Sequence, residues 1–143
     1  MEPQPTSTPT PTDESAAVLA AYREFFDRQT EISAAPADQR RAMLQPFTTE
    51  PELSRVLGGM LATQQLGQVG YGTSVLHPRV SRIDGDQATV TDCQDNSKVG
   101  RKKIDGGKLT TRGLARDNTE ATLRRGADGA WRVAAVTYPN APC

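Results

Sequence analysis

Asp92 is the residue in this chain whose neighbours best suit acid/base chemistry. It lies in the run Gln87-Ala-Thr-Val-Thr-Asp-Cys-Gln-Asp95, rich in Thr and Val and therefore strand-like. Strand alternation puts Ala88, Val90 and Asp92 on one face and Thr89, Thr91 and Cys93 on the other. The Ala88/Val90 face suits a core, so Asp92 points inward near the strand's end. A carboxylate drawn away from water there can be tuned for proton abstraction. The structural alternatives are an ion pair with an arginine such as Arg112, or a bulge that delivers the carboxylate to water. Tyr71, between two glycines, and His77, the sole histidine, are the other polar candidates. Pro78 pushes His77 toward an extended conformation at a sheet edge or bulge. Both read more readily as packing or surface residues, and no residue is assigned as catalytic.

The two cysteines carry a second kind of chemistry. Cys93 falls in the strand and Cys143 is the last residue. If they join, the tail is clamped to the middle of the second half, which requires an oxidising compartment. Two cysteines and one histidine without a Cys-x-x-Cys pair make no metal-ligand signature, and no vicinal thiol suggests redox catalysis.

A third feature is basic. Arg101, Lys102, Lys103 and Lys108 flank Asp105-Gly106-Gly107 in a hairpin pattern, and Arg112 and Arg116 continue the charge. From Gly67 onward there are 12 basic and 8 acidic residues, a net of about +4. Such a hairpin can touch an anionic partner, or it is an edge whose lysines discourage strand-to-strand aggregation. Dinucleotide-binding, phosphate-loop, zinc-protease and nucleophile-elbow motifs are absent from the sequence, and no cofactor or metal is expected.

Composition narrows the classes further. The 143 residues suffice for one domain, and 17 basic residues balance 17 acidic ones. Zero net charge argues against a general nucleic-acid binder. No stretch approaches the ~20 apolar residues of a membrane-spanning helix. Residues 1–12 form a Pro/Thr-rich stalk that cannot bury enough surface to order itself. With the cysteine pair, the stalk suggests an exported protein whose secretion signal, with a lipid-anchored cysteine as one form, preceded residue 1, Met1 being supplied for expression.

The elements that must position these residues are helical first. Val18, Tyr22, Phe25, Phe26 and Ile32 recur at helical spacing between Glu14 and Ile32. A shorter helix is expected from Pro36 to Leu44, ending before Pro46. Thr49 and Glu52 make a capping-box pattern for a third, in which Leu53, Val56, Leu57, Met60 and Leu61 share a face and Gly67 closes the end. The period then changes to two. Strands are expected over Val69–Val75, Val80–Ile83, Gln87–Asp95, Leu109–Arg116, Thr119–Arg125 and Trp131–Tyr138, joined by short turns and therefore mostly antiparallel.

Helices followed by a meander give an α+β fold: N-terminal helices on one curved, mostly antiparallel sheet within a single domain, 13–143. This order, with the closing pattern Ala121-Thr-Leu-Arg-Arg-Gly-Ala-Asp-Gly-Ala-Trp-Arg-Val133, resembles the nuclear-transport-factor-2-like superfamily, the cone fold that includes ketosteroid isomerase. The resemblance runs from Asp13 to the end, and is nearest to small exported or lipid-anchored members of high-GC Gram-positive bacteria. A cystatin-like helix-on-sheet fold is the runner-up. Enzymes of the superfamily place polar residues inside the cone, but none of their motifs is matched here residue by residue. Homodimerisation through the open sheet face is common in such folds, and the residues here do not specify it. The expected function is a non-enzymatic exported or surface-tethered accessory domain that binds a protein or small-molecule ligand. The alternative is a small isomerase or dehydratase with a pocket around Asp92. A polar pocket containing Asp92 and Tyr71 or His77 would favour the enzyme, and a cone filled with apolar side chains the binding domain.

Overall fold

Tyr22, Phe25 and Phe26 form one aromatic knot on the first helix, with ring centroids 4.8 and 4.9 Å apart, and the rest of the fold closes around it. The computed structural model describes residues 11–143, with side chains from Asp13 onward. The Pro/Thr-rich stretch lies outside the described residues, except that Pro11 and Thr12 begin helix α1 (Pro11–Asp27). The helix expected to reach Ile32 breaks at Arg28, and α2 (Gln29–Ala34) restarts it. This break lets both Phe25 and Ile32 bury their side chains. Arg40, itself buried, caps α2 by donating to the carbonyls of Ser33 and Ala35, each at 3.0 Å.

The second expected helix is a 3-10 turn, Ala37–Gln39, followed by α3 (Arg40–Leu44), with Pro36 just ahead of it. α4 (Glu52–Gln65) starts where expected, but the capping box does not form. The Thr49 amide is drawn to the Val133 carbonyl, and the Glu50 carboxylate accepts from the Ser54 amide instead. Glu52 is buried against Arg55. Gly67 ends the helix in the left-handed region at φ 71°.

Six strands follow: β1 (Gln68–Tyr71), β2 (Arg79–Asp84), β3 (Gln87–Gln94), β4 (Gly100–Lys103), β5 (Asp117–Arg125) and β6 (Trp131–Thr137). All pairings among them are antiparallel, in a four-stranded sheet of order β2-β3-β5-β6 and a two-stranded ribbon β1-β4. The α+β architecture of helices on antiparallel strands therefore holds, with the sheet divided in two. The ribbon is joined to the sheet by single links, Val75 to Asp95 and the Asn96 amide to the Leu114 carbonyl at 2.8 Å.

Two expected strands are shorter than their patterns. β1 stops at Tyr71 because Gly72 turns the chain at φ 78°, and a Cβ there would lie 1.9 Å from the Lys98 carbonyl oxygen. Leu109–Arg116 forms no regular strand. It returns along β4 through bonds from Thr110 to Arg101 and from Gly113 to Val99. It presses so closely that a Cβ on Gly100 would lie 2.1 Å from the Thr111 oxygen. The backbone is paired, but out of ladder register.

The inner face of β3 carries Ala88, Val90, Asp92 and Gln94, all buried. Opposite them on β5 stand Leu123, Ala121, Thr119 and Asp117. One end of this face is thus apolar and joins Tyr22, Leu44, Trp131 and Val133 in the core, while the other end is polar.

Candidate functional site

The polar end of the sheet is a hydrogen-bond chain whose direction is set by its anchor. Asp92, 5% exposed, can only accept as a carboxylate. The Tyr22 hydroxyl donates to its Oδ2 at 2.7 Å, and the His77 backbone N–H donates to its Oδ1 at 2.7 Å. Tyr22 oxygen is then free to accept from Gln94 Nε2 at 2.9 Å, which turns Gln94 Oε1 outward to accept from Asn96 Nδ2 at 3.1 Å. Asn96 Nδ2 also donates to Asp117 Oδ2 at 3.0 Å. Both N–H bonds of Asn96 are committed, and its buried Oδ1 is left with no partner among the described residues.

Burial and the bond to Asp92 push the Tyr22 phenol well above its ordinary pKa, desolvation being the larger cause. The folded state thus holds a proton that the unfolded chain releases near pH 10. Its stabilising contribution is complete below that pH and lost as pH rises through alkaline values. Urea midpoints measured from pH 8 to 11 are expected to fall with rising pH. Tyr22→Phe should flatten that slope by about one proton, and an unchanged slope would count against this burial.

Two adjoining clefts open beyond this chain, of about 370 and 350 Å³. They share Gln29, Thr30, Arg55, Val56, Val99 and Gly100, so they are lobes of one mouth between α2, α4 and the ribbon. The second lobe reaches Gln94, Asn96 and Asp117, with Phe25, Phe26 and Tyr138 as aromatic wall. Desolvation first, and then the Asp117 carboxylate, raise the Tyr138 pKa. Arg55 stays charged at the rim, its guanidinium held by Glu52.

No protein-family model and no curated protein matches the chain. Solved structures do match. The intermembrane-space region of the chloroplast protein ARC6 superposes with a TM-score of 0.63 at 15% identity, over 87% of this chain and 95% of that one. A ketosteroid isomerase-like protein from Erwinia carotovora atroseptica gives 0.57 at 15% identity, over 87% and 93%. An NTF2-like family protein from Streptomyces avermitilis gives 0.55 at 17% identity, over 92% and 100%. The chain has the nuclear-transport-factor-2-like cone fold.

Within this cone Asp92 and His77 meet at one small groove, while Tyr71 and the basic residues lie elsewhere. Asp92 faces inward, but its partners are Tyr22 and the His77 amide, not Arg112, which lines the cleft. The His77 ring is exposed and turned away. Its Nδ1 lies 2.8 Å from the Cys93 carbonyl, which fixes Nδ1 as the protonated nitrogen. Tyr71 lines the first lobe and donates to the Thr111 carbonyl at 3.0 Å, pinning the returning segment to the ribbon. A separate groove of about 340 Å³ runs past His77, Asp92 and Cys143 at the other side of the strand end. Cys93 and Cys143 are joined there in a disulfide, with Cα atoms 5.6 Å apart. Arg101 borders the first lobe, while Lys102, Lys103 and Lys108 lie toward the far end of the ribbon. Among the described residues no group of three or more His, Cys, Asp or Glu could hold a metal ion, and no helix is long and apolar enough to cross a membrane.

Tyr22, Gln94, Asn96 and Asp117 were not singled out from the sequence. The signal for two of them was present: the alternation that selects Ala88, Val90 and Asp92 continues to Gln94 and Asn96. Tyr22 and Asp117 join through contacts 70 and 21 residues apart along the chain, which no local pattern encodes.

Proposed function

We propose that this protein is a non-enzymatic exported or surface-tethered accessory domain that binds a small ligand in the mouth of the cone. The observation that carries this reading is the occupancy of Asp92. Each carboxylate oxygen is already held by a protein donor, and Asp92 lines only the smaller groove with His77 and Cys143, not the large cleft with its aromatic wall. A general base needs a lone pair within reach of its substrate. What the cleft offers is an aromatic wall of Phe25, Phe26 and Tyr138 and, as acceptor, the Asp117 carboxylate. A ligand with a flat apolar body and a hydroxyl or N–H donor fits it, directly or through a bridging water. The disulfide supports an oxidising location.

Gly59 supplies the test. It lines the first lobe, and a Cβ built on it meets nothing within 4 Å. Gly59→Trp should fill the lobe while gaining about 0.5 kcal/mol of helix stability. In ligand-observed NMR with hydroxylated and amide-bearing aromatic fragments, binding to the native protein is expected to weaken at least about tenfold in this variant. Equal binding to both proteins would take the first lobe out of the proposal and confine the ligand to the second, which Gly59 does not line. Turnover of a bound fragment that disappears in Asp92→Asn would favour the acid/base enzyme instead.

A further inference from the structure

We infer that the free end of the β1–β4 ribbon docks on an anionic lipid surface. In a chain with no net charge, residues 97–116 contain seven basic residues and one acidic, a local net of +6. Among the described residues none of these seven is in an ion pair. The five ion-paired arginines, Arg28, Arg55, Arg82, Arg125 and Arg132, all lie elsewhere. Lys102, Lys103 and Lys108 lie toward the ribbon's free end with Asp105, while Arg101 and Arg112 border the cleft, and this unpaired positive charge favours an anionic partner.

Charge alone would describe a solvated edge, but the same end also exposes aliphatic side chains. Leu66 is 66% exposed, Ile104 57% and Leu109 56%. The backbone gathers them: the Ile104 amide donates to the Gly67 carbonyl at 2.9 Å, Lys103 to Lys108 at 2.8 Å, and Lys102 bridges to Leu109. Gly106 and Gly107 form the turn with φ of 80° and 69°, and a Cβ on either would meet nothing within 4 Å. The turn at Gly106 and Gly107 therefore stands in open space, while Ile104, still 57% exposed, borders a groove with Ala34, Pro36 and Gln64. An acidic soluble partner would need the cations and leave three large aliphatics in water. A membrane interface takes both, since aliphatic side chains enter the headgroup boundary while lysines stay among anionic headgroups. This reading is independent of whether the cone binds a ligand.

Co-sedimentation with phosphatidylglycerol/phosphatidylcholine vesicles tests it. Binding is expected at low salt, weakening as salt is added, and near background on pure phosphatidylcholine. Each cation contributes about fivefold to partitioning, so Lys103→Glu/Lys108→Glu should reduce binding by roughly 25-fold or more. Ile104→Ser/Leu109→Ser, at unchanged charge, should reduce it about tenfold or more. All four side chains are exposed, so circular dichroism should be unaltered. As a measurement free of variant-folding effects, Leu109→Trp fluorescence should be quenched by brominated lipid, with buried Trp131 as the internal unquenched reference. Absence of vesicle binding overturns the inference. So does binding that soluble polyphosphate matches and the serine variant leaves intact, which would mark a surface for an anionic macromolecule. Unquenched Trp at position 109 in vesicle-bound protein overturns it equally.

Discussion

Asp92→Ala is expected to lower the unfolding free energy by about 3–5 kcal/mol, one of the largest losses available in this chain. The reason is the number of groups stranded, not the size of the side chain removed. Without the carboxylate, the Tyr22 hydroxyl and the His77 amide each lose a charge-assisted acceptor beside the core. Such bonds contribute about 1.5–3 kcal/mol each, and an unpaired buried donor carries its own desolvation cost. Asp92→Asn keeps the shape but sets an amide N–H₂ against one of two donors, so a smaller loss of about 1–3 kcal/mol is expected. Tyr22→Phe in the Asp92→Ala background should cost less than Tyr22→Phe alone, because the pair is already broken. Urea denaturation of the four proteins measures all of this. A loss below about 1 kcal/mol for Asp92→Ala would mean that the chain from Asn96 to Asp92 does not hold the polar end of the sheet together. It would also return Asp92 to the list of groups available for chemistry.

Removing the disulfide is the second large effect. Cys93 and Cys143 are separated by 50 residues, and closing a loop of that length restricts the unfolded chain by about 4 kcal/mol in the chain-entropy account. Cys93→Ser/Cys143→Ser, or full reduction of the native protein, should move the urea midpoint down by a corresponding amount. Reduction of the double variant should then have no further effect. The loss reaches past stability. Tyr138 forms part of the cleft wall and lies only five residues before Cys143. Freeing the tail beyond Thr137 should therefore weaken fragment binding as well as folding. Two titratable thiols in unreduced, correctly folded protein would overturn this prediction and the exported location proposed with it.

Much of the architecture was legible because its signals are local. The helical spacing of Val18, Tyr22, Phe25 and Phe26, the turn glycines, and the Thr/Val run around Val90 each state their geometry within ten residues. What misled was also local. Thr49 and Glu52 have the spacing of a capping box, yet Thr49 is drawn to Val133 and Glu52 is buried against Arg55. Tertiary partners outbid a cap that is worth about 1 kcal/mol. The alternation of Leu109–Arg116 likewise suggested a strand, and close approach at Gly100 and Gly113 left it irregular beside β4.

By itself the sequence determined the α+β order, the inward phase of β3, the placement of positive charge on one hairpin, and two cysteines in positions where a clamp is meaningful. Each depends on residue type and periodicity, which the chain carries wherever it folds. Only the tertiary structure decided that Asp92 is held by Tyr22 and the His77 amide, that Asn96 Oδ1 is buried without a partner among the described residues, and that Ile104 bonds back to Gly67 at the helix end. Those are meetings between segments distant along the chain. Hydrogen-bond direction and exposure are properties of such meetings, and no local pattern contains them.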